Sequence, residues 1–551
     1  MPIQPTTASK PALPTGSYWP HECPSCGESL EDILHDLRMK FIELTAQVNQ
    51  FEALFQASKK REETLQLELA KAQAKIRDTE KRLYGRKSES SSTQDSSKSQ
   101  PEILDDTPKR KRGQQPGHPT PIRRTYPELE RIEEVHDVHE NEQTCPCCGL
   151  TREEFFKEEE SEIIEVDVKA YVRKVVRKSR VSKCNCPSQP KVVSPLVVGA
   201  LFPGSQLGVS VWVEILLAKY RYGEPINRLL DRWADIGFSP PRGTIHSNLA
   251  SIGKLISPVA ELIAARNRSA HHWHIDETRW PVYVEIPGKA GHRWWLWVFV
   301  TEDTVVFKID PTRSSRVVYE HLGENPEGIA SVDRYSAYKS VSLHALNLFL
   351  AFCWAHVRRD FLELEVKWPE LKDWTMVWLN QISNLFAINN IRRQTKLDDT
   401  VFVKADRELR TSMDDFRSNI DAGLDNHHLH DEARKVLHSL DKHWEGLKIF
   451  VDHPQIPMDN NLAERTLRPQ VVGRKNFWGS GSEHTARLQA DLGTLFFTLE
   501  RNNINLKKWL YDYLSVCSLH GGRPPDDIEK YLPWSSPKKS LKRWERGDVA
   551  A

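Results

Sequence analysis

The spacing of hydrophobic positions changes several times along this chain, and each change predicts a different element. From Leu30 to Leu83 two heptad series interleave. One is Leu30, Leu37, Leu44, Phe51, Ser58, Leu65, Ala72, Thr79, and the other is Leu34, Phe41, Val48, Phe55, Glu62, Leu69, Ile76, Leu83. Thirteen of these sixteen positions are apolar. That is a coiled-coil seam with a break at Ser58 and Glu62, and a seam this long needs a partner helix, the alternative being a long helix packed on its own domain. Residues 207–265 have helical spacing, interrupted at Tyr222-Gly223-Glu224-Pro225 and again from Gly237 to Gly243. Two helices joined at a glycine turn, with Thr244 as N-cap, resemble a helix-turn-helix. Two ordinary packed helices fit the spacing at least as well.

From His271 the texture becomes that of strands. His271 to Thr278 leads into Trp280–Ile286. A hairpin follows, Arg293–Val300 and Val305–Ile309 across Thr301-Glu302-Asp303-Thr304. Next come a helix over Ser314–Leu322, a strand over Gly328–Asp333, a helix, and a strand over Leu346–Cys353. This is the order of a ribonuclease-H-like sheet, in which an Asp of the first strand lies beside an Asp ending the fourth. Asp276 and Asp333 hold those places. Residues 366–450 read as an all-helical insertion. After Pro454 and Pro457, Asn461 suits a helix N-cap, which places Glu464 in the first turn.

Composition narrows the class. The 551 residues carry 77 Lys and Arg against 76 Asp and Glu, which excludes a uniformly basic nucleic-acid coat but not local basic patches. No apolar run approaches the ~18 residues of a membrane helix, so no membrane association is expected. Met1 to Pro20 has one basic residue and no apolar core, unlike a secretory signal. The cytoplasm is the expected compartment, where nine cysteines read as metal ligands or core thiols before disulfides.

Two stretches point to nucleic acid. A Ser-rich linker ends in Lys109-Arg110-Lys111-Arg112 with Gly and Pro and no apolar period, the character of an arm that lies along a phosphate backbone. From Lys169 to Lys191 there are eight Lys and Arg and no acid, alternating with apolar residues as in a strand with one charged face. Close cysteine pairs bracket this segment. Cys145 and Cys148, with Cys147 as a spare, and Cys184 and Cys186 suit a four-thiolate Zn²⁺ site, although the second pair is one residue short of the usual spacing. Cys23 and Cys26 form a further pair with no second pair nearby.

Three carboxylates on rigid elements, Asp276, Asp333 and Glu464, would hold two Mg²⁺ or Mn²⁺ ions about 4 Å apart for phosphodiester chemistry. Glu277, beside Asp276, and Asp459, close before Glu464, are rival ligands. Arg465 and Arg468 flank Glu464, where Arg468 can pair with it or touch DNA phosphate. Arg474 and Lys475, next to Phe477 and Trp478, resemble a strand-end grip with an aromatic for base stacking. Cys353 and His356 are assigned to packing. Lys538 to Arg543 is either a backbone-contacting tail or a solvated one.

Ordered motifs carry a family resemblance. They are Lys81 to Glu89 (KRLYGRKSE), Gly113 to His118 (GQQPGH), the cysteine pairs, Asp276 to Trp280 (DETRW) and Val332 to Tyr338 (VDRYSAY). Cys353 to Arg359 (CWAHVRR), Asp459 to Pro469 (DNNLAERTLRP) and Gly473 to Phe477 (GRKNF) complete the set. The chain resembles transposases of the insertion sequence 66 family of bacterial mobile elements, over nearly everything from Leu30 to Trp509. The resemblance implies a catalytic Asp276–Asp333–Glu464 triad, in preference to Glu277 and Asp459. It also implies a zinc-binding cysteine segment, DNA ends and target DNA as substrates, the participation of other element-encoded proteins, and a bacterial, nucleoid-associated location.

The expected fold class is α/β. A ribonuclease-H-like catalytic core with an all-helical insertion is preceded by an N-terminal coiled coil and a zinc-ribbon-like segment. The expected division is a disordered N-terminus with a Cys pair (1–29), the coiled-coil oligomerisation helix (30–84), the basic linker arm (85–125) and the zinc- and DNA-binding segment (126–200). A helix-turn-helix-like segment (201–268), the first part of the catalytic domain (269–365), the insertion (366–452), the completion of the catalytic domain with Glu464 (453–515) and a tail (516–551) follow. The expected function is Mg-dependent cleavage and strand transfer of element ends by direct phosphodiester attack. The alternative is a catalytically inactive or domesticated DNA-binding descendant of such an element. A metal-dependent RNA nuclease on the same fold is a third reading, disfavoured by the insertion and the separate DNA-binding front end.

Overall fold

The computed structural model describes residues 30–84, 147, 168–181, 192–194, 196–286, 291–323, 325–345, 347–397 and 399–546. The chain divides into two compact units, one of residues 1–87, 261–281 and 285–468, the other of residues 88–260, 282–284 and 469–551.

The elements follow one another in this order. A single helix α1 (Leu30–Tyr84) comes first, then two short paired strands, β1 (Arg180–Val181) and β2 (Val192–Val193). Helix α2 (Val209–Leu216), a π-helical turn (Leu217–Arg221), α3 (Ile226–Asp235) and α4 (Arg242–Arg268) lead into β3 (His272–Pro281), β4 (Arg293–Val300) and β5 (Val305–Asp310). Next are α5 (Ser315–Leu322), β6 (Gly328–Val332), α6 (Ser336–His344), β7 (Leu348–Phe352) and α7 (Trp354–Lys367). The insertion comprises α8 (Lys372–Gln394), α9 (Thr400–Asp425), α10 (Asp431–Lys442), α11 (Trp444–Leu447) and α12 (Ile449–Asp452). The chain continues with α13 (Asn461–Phe477), α14 (Glu483–Arg501), α15 (Leu506–Leu519) and α16 (Lys538–Trp544).

The first unit is built on a five-stranded mixed sheet of order β5-β4-β3-β6-β7. β3, β4 and β5 pair antiparallel, whereas β6 and β7 run parallel to β3. Strand β4 buries Trp294 and Leu296 through Val300, a continuous apolar run that suits a strand covered on both faces. Gly328 opens β6 at φ 145°, where a Cβ would lie 2.2 Å from the His271 carbonyl oxygen, so only glycine fits.

The predicted sequence of strands and helices is the one observed. The first strand, expected from His271 on into Trp280–Ile286, runs His272–Pro281 and so ends earlier. Pro281 has no N–H to continue the ladder, and Val282 makes only an isolated bridge, to Ser480. Asp276 lies in mid-strand, as expected, opposite Val298. The insertion packs through aromatic rings, with Phe361 stacked on Trp378 at 5.6 Å between centroids and Trp378 edge-on to Phe416.

The C-terminal end of α1 joins this unit. Ala74 is buried with Leu364, Trp368, Leu371 and Ala433, and Arg77 Nε donates to the Lys367 carbonyl at 2.9 Å. The seam residues Leu37, Leu44, Phe51, Leu65 and Ile76 remain exposed.

The second unit gathers α2, α4, α14 and α15. Tyr513 donates to the Leu255 carbonyl at 2.7 Å, and Arg221 pairs with Glu500 at 2.7 Å. Helix α4 starts at Arg242 and runs 27 residues, so Thr244 lies inside the helix and is not its cap. By length and composition α4 alone, among the described residues, is long and apolar enough to cross a membrane, contrary to the sequence reading. Its apolar face, from Ile245 through Leu249, Ile252, Ile256 and Val259, is buried in the fold. The segment read as a tail carries α16, whose Trp544 is buried beside Trp509 and Tyr531. Among its described residues, 169–181, the alternating basic segment forms the two-residue strand β1, and Tyr171, Val172 and Val176 are exposed.

One residue joins α13 to the sheet. Asn460, 2% exposed, donates from Nδ2 to the Ile275 carbonyl at 2.7 Å and accepts at Oδ1 from His274 Nδ1 at 2.9 Å. Its backbone N–H donates to Cys353 Sγ at 3.1 Å. The Asn460 carbonyl takes the first bond of the helix, from Ala463 N–H, while Asp459 Oδ1 accepts from Asn461 N–H at 3.0 Å. The cap is therefore shared by Asp459 and Asn460, one residue earlier than the sequence suggests. Asn460→Ala leaves the His274 ring and the Ile275 carbonyl buried without these partners and should destabilise the chain by on the order of 2–4 kcal/mol. Denaturant unfolding checks this, and an unchanged midpoint would refute it.

Candidate active site

Three elements of the first unit bring carboxylates together. β3 presents Asp276, the residue after β6 is Asp333, and the first turn of α13 carries Glu464. Burial pushes the Asp276 carboxyl up to about 8. The neighbouring charge of Glu277 adds to the rise, and Glu464 and Asp333 add further, while the Glu277 N–H bonded to Asp276 Oδ1 opposes it. Asp276 thus feels both of the other acids. Asp333 Oδ1 also accepts from Tyr335 N–H at 2.9 Å, which fixes the turn into α6.

Glu277 points elsewhere. Its side chain is fully buried and receives Arg313 Nε and Nη2, each at 2.6 Å from Oε1, while Oε2 takes the Tyr338 hydroxyl. Burial raises the Glu277 carboxyl, and Tyr338 and Arg313 oppose that rise. The Arg313 guanidinium lies 3.8 Å from the Tyr335 ring centroid and 4.8 Å from that of Trp295. Tyr335 returns a hydrogen bond from its hydroxyl to the Arg313 carbonyl at 3.0 Å. A continuous chain of contacts thus runs from Glu277, next to Asp276, through Arg313 and Tyr335 to Asp333. It makes Glu277 a brace between two strands.

Glu464 faces α7. His356 Nε2 lies 3.7 Å from its Oε1, and Arg359 Nη2 lies 3.8 Å from Oε2. Both are ion-pair distances and too long for hydrogen bonds. Burial lowers the His356 pKa below the usual imidazole value, Arg359 lowers it further, and Glu464 opposes. Packing alone therefore does not describe His356, which borders the carboxylate cluster. Its partner lies more than a hundred residues away in sequence, so the only sequence signal was its place in the CWAHVRR motif. Cys353 fits the packing role. Burial holds its thiol up at about 11, and its sulfur accepts the Asn460 N–H.

The other predicted site residues are dispersed. Arg465 and Arg468 are exposed on α13, and the ion-pair partners of Glu464 are His356 and Arg359 in place of Arg468. Arg474 and Lys475 sit in the last turn of α13, at a helix end and not a strand end, within the second unit. Cys145, Cys148, Cys184 and Cys186, the arm Lys109-Arg110-Lys111-Arg112 and the pair Cys23/Cys26 lie outside the described residues. Cys147 is exposed with a free thiol.

The donor set suits a hard divalent cation. The three carboxylates supply only oxygens, and burial, with the charges of Glu277, Glu464 and Asp333 adding to it, disfavours the ionised form of Asp276. Among the described residues, however, no group of three or more His, Cys, Asp and Glu is arranged so that it could by itself hold a metal ion.

Two outcomes follow from these contacts. Arg313→Ala strands the buried Glu277 charge and should destabilise by on the order of 3 kcal/mol, more than Glu277→Gln, which leaves the partly exposed Arg313 to solvent. Melting curves of both variants test the order, and equal losses would remove the brace. Asp276→Asn should stabilise the metal-free chain. Because the folded pKa lies above the unfolded value, the folded state holds the extra proton, and wild type loses stability as pH rises from about 4 to about 8. The gain from Asn should grow across that window and level off above it. A gain independent of pH would show that Asp276 titrates normally.

The chain matches the family model described as "Transposase IS66 family" over residues 204–488, more than half its length. It is 25% identical to the uncharacterized protein y4hP of Sinorhizobium fredii (strain NBRC 101917 / NGR234) over 461 residues, 78% of each chain. It is 27% identical to the uncharacterized protein y4qI of the same strain over 448 residues, 76% of this chain and 78% of that one. The matched span contains β3, β6 and the start of α13, the elements that carry the three carboxylates. On the extent of that match, this chain belongs to the IS66 family of transposases.

Proposed function

We propose that this transposase cuts and joins the DNA ends of its insertion sequence by direct attack on a phosphodiester, at a ribonuclease-H-like site formed by Asp276, Asp333 and Glu464. The observation that carries the reading is the convergence of these carboxylates from β3, the end of β6 and α13, with the Asp276 carboxyl pushed up to about 8. Asp276 and Asp333 are the fixed ligands, held by the strands and by the Glu277–Arg313–Tyr335 brace. Glu464 closes the site from α13. Two Mg²⁺ or Mn²⁺ ions, when bound, supply activation of a water or 3′-hydroxyl and stabilisation of the leaving oxygen. His356 and Arg359 steady Glu464, and Arg465 and Arg468 face DNA phosphate from the exposed side of α13.

The rest of the reading completes the assembly. Cys145, Cys148, Cys184 and Cys186 hold one structural Zn²⁺ in the DNA-binding front end. The arm Lys109–Arg112 follows the DNA backbone. The exposed seam of α1 pairs with the same helix of another copy, since Leu37, Leu44 and Phe51 expose more apolar surface than a lone helix keeps in water. The working place is the bacterial nucleoid.

The test is strand cleavage of the element's end DNA with Mg²⁺. Asp276→Asn, Asp333→Asn and Glu464→Gln should each lower the rate by more than about 100-fold, beyond the effect of losing an outer contact, and leave DNA binding in place. Wild type that binds ends and never cuts, with the other element proteins present, would instead identify a DNA-binding descendant. A variant with full activity would remove that carboxylate from the site.

A further inference from the structure

The turn after α13 holds a bulky residue in a conformation it disfavours. Trp478 has φ 65°, in the left-handed region, and Gly479 follows at φ 112°. Among the described residues the other non-glycine with positive φ is Asn503, a type that tolerates it. Large side chains adopt this backbone only when surrounding contacts impose it, and such outliers gather at ligand sites.

Here the imposing contacts are visible and all act on the backbone. The Trp478 N–H donates to the Arg474 carbonyl at 2.7 Å, and the Trp478 carbonyl accepts from the Tyr283 hydroxyl at 3.0 Å. The Tyr283 N–H donates to the Ser480 carbonyl at 2.9 Å, beside the parallel bridge between Val282 and Ser480. The main chain is clamped on both sides, yet the Trp478 side chain is 74% exposed. It gains no core packing that would compensate for the strain. Phe477, its neighbour, packs against Gly473 and lies 5.9 Å from Lys219 Nζ, so the two aromatics of this motif have different roles.

The surroundings indicate what the indole meets. Arg474 and Lys475, in the last turn of α13 just before it, put positive charge within a few residues of the ring. Tyr222 is exposed at a neighbouring turn, where the Gly223 carbonyl takes Asn476 Nδ2 at 3.0 Å. A rigid, exposed ring beside cations is how proteins receive an unstacked base, with the phosphates held electrostatically.

We infer that Trp478 is a stacking platform for an unpaired DNA base, with Arg474 and Lys475 holding the adjoining phosphates. The inference deepens the transposase reading and rests on it for the choice of DNA. The backbone strain is maintained so that the ring stands out from the surface.

The test uses the full chain without added divalent ion and two probes, a 20-nucleotide single strand carrying one 2-aminopurine and its duplex. Wild type should quench the 2-aminopurine of the single strand. Trp478→Ala should abolish the quenching and weaken single-strand binding by about five- to 150-fold, the range of base–aromatic stacking, with duplex binding little changed. Trp478→Phe should keep most of both signals. Trp478→Gly relieves the strained φ and should melt no lower than wild type while losing the quenching, an outcome that a structural tryptophan would not give. Wild-type quenching and affinity in Trp478→Ala overturn the platform, as does a large fall in melting temperature in Trp478→Gly. The two readings fail separately. End cleavage by wild type alongside normal quenching in Trp478→Ala refutes only the platform. Quenching lost as predicted in a protein that never cuts refutes only the transposase chemistry.

Discussion

The candidate site depends on the joint made by Asn460. Glu464 is separated from Asp276 by nearly two hundred residues and from Asp333 by the whole insertion, so chain connectivity does not bring them together. Asn460 does so with one amide bonded to two consecutive residues of β3 and a backbone N–H bonded to the corner between β7 and α7. Because it immediately precedes α13, its position sets where the helix starts, and Glu464 follows in the first turn. A buried amide satisfied at both ends is specific in a way an apolar contact is not, since misplacing it leaves polar groups unpaired.

Around that joint the charges divide into a braced set and an open set. Glu277 is buried but compensated by Arg313 and Tyr338, so it organises the site without joining it. Asp276 is left facing the charges of Asp333 and Glu464, and His356 and Arg359 make only looser contacts to Glu464. On the proposed reading, incomplete compensation at this cluster would trade stability for affinity toward positive charge, as functional sites commonly do.

Much of this was legible before the structure. The period-two strands and the period-3.6 insertion gave the element order because burial on one face leaves a direct trace in sequence. The bounds of α1 and the place of Glu464 in a first helical turn were readable for the same reason. The roles of Glu277 and His356 were not, because their partners Arg313, Tyr338 and Glu464 are distant in sequence and the pairing appears only once the sheet is assembled. The cap of α13 was misplaced by one residue because Asp459, Asn460 and Asn461 are all good caps, and only the contact with β3 selects among them. The strain at Trp478 left no trace, since a backbone angle set by Tyr283 and Ser480 cannot be read from local composition. The alternation of residues 171–181 suggested a longer strand, but alternation describes a strand only where a partner covers one face.

If residues from three separated segments share one divalent-cation site, localised radical cleavage measures it directly, with Fe²⁺ substituted for Mg²⁺ on the full-length chain and ascorbate and peroxide added. Backbone cuts are expected near residues 276, 333 and 464 together, all suppressed by excess Mg²⁺. Cuts at only one of these segments, or at none while the ion binds elsewhere, would contradict a shared site.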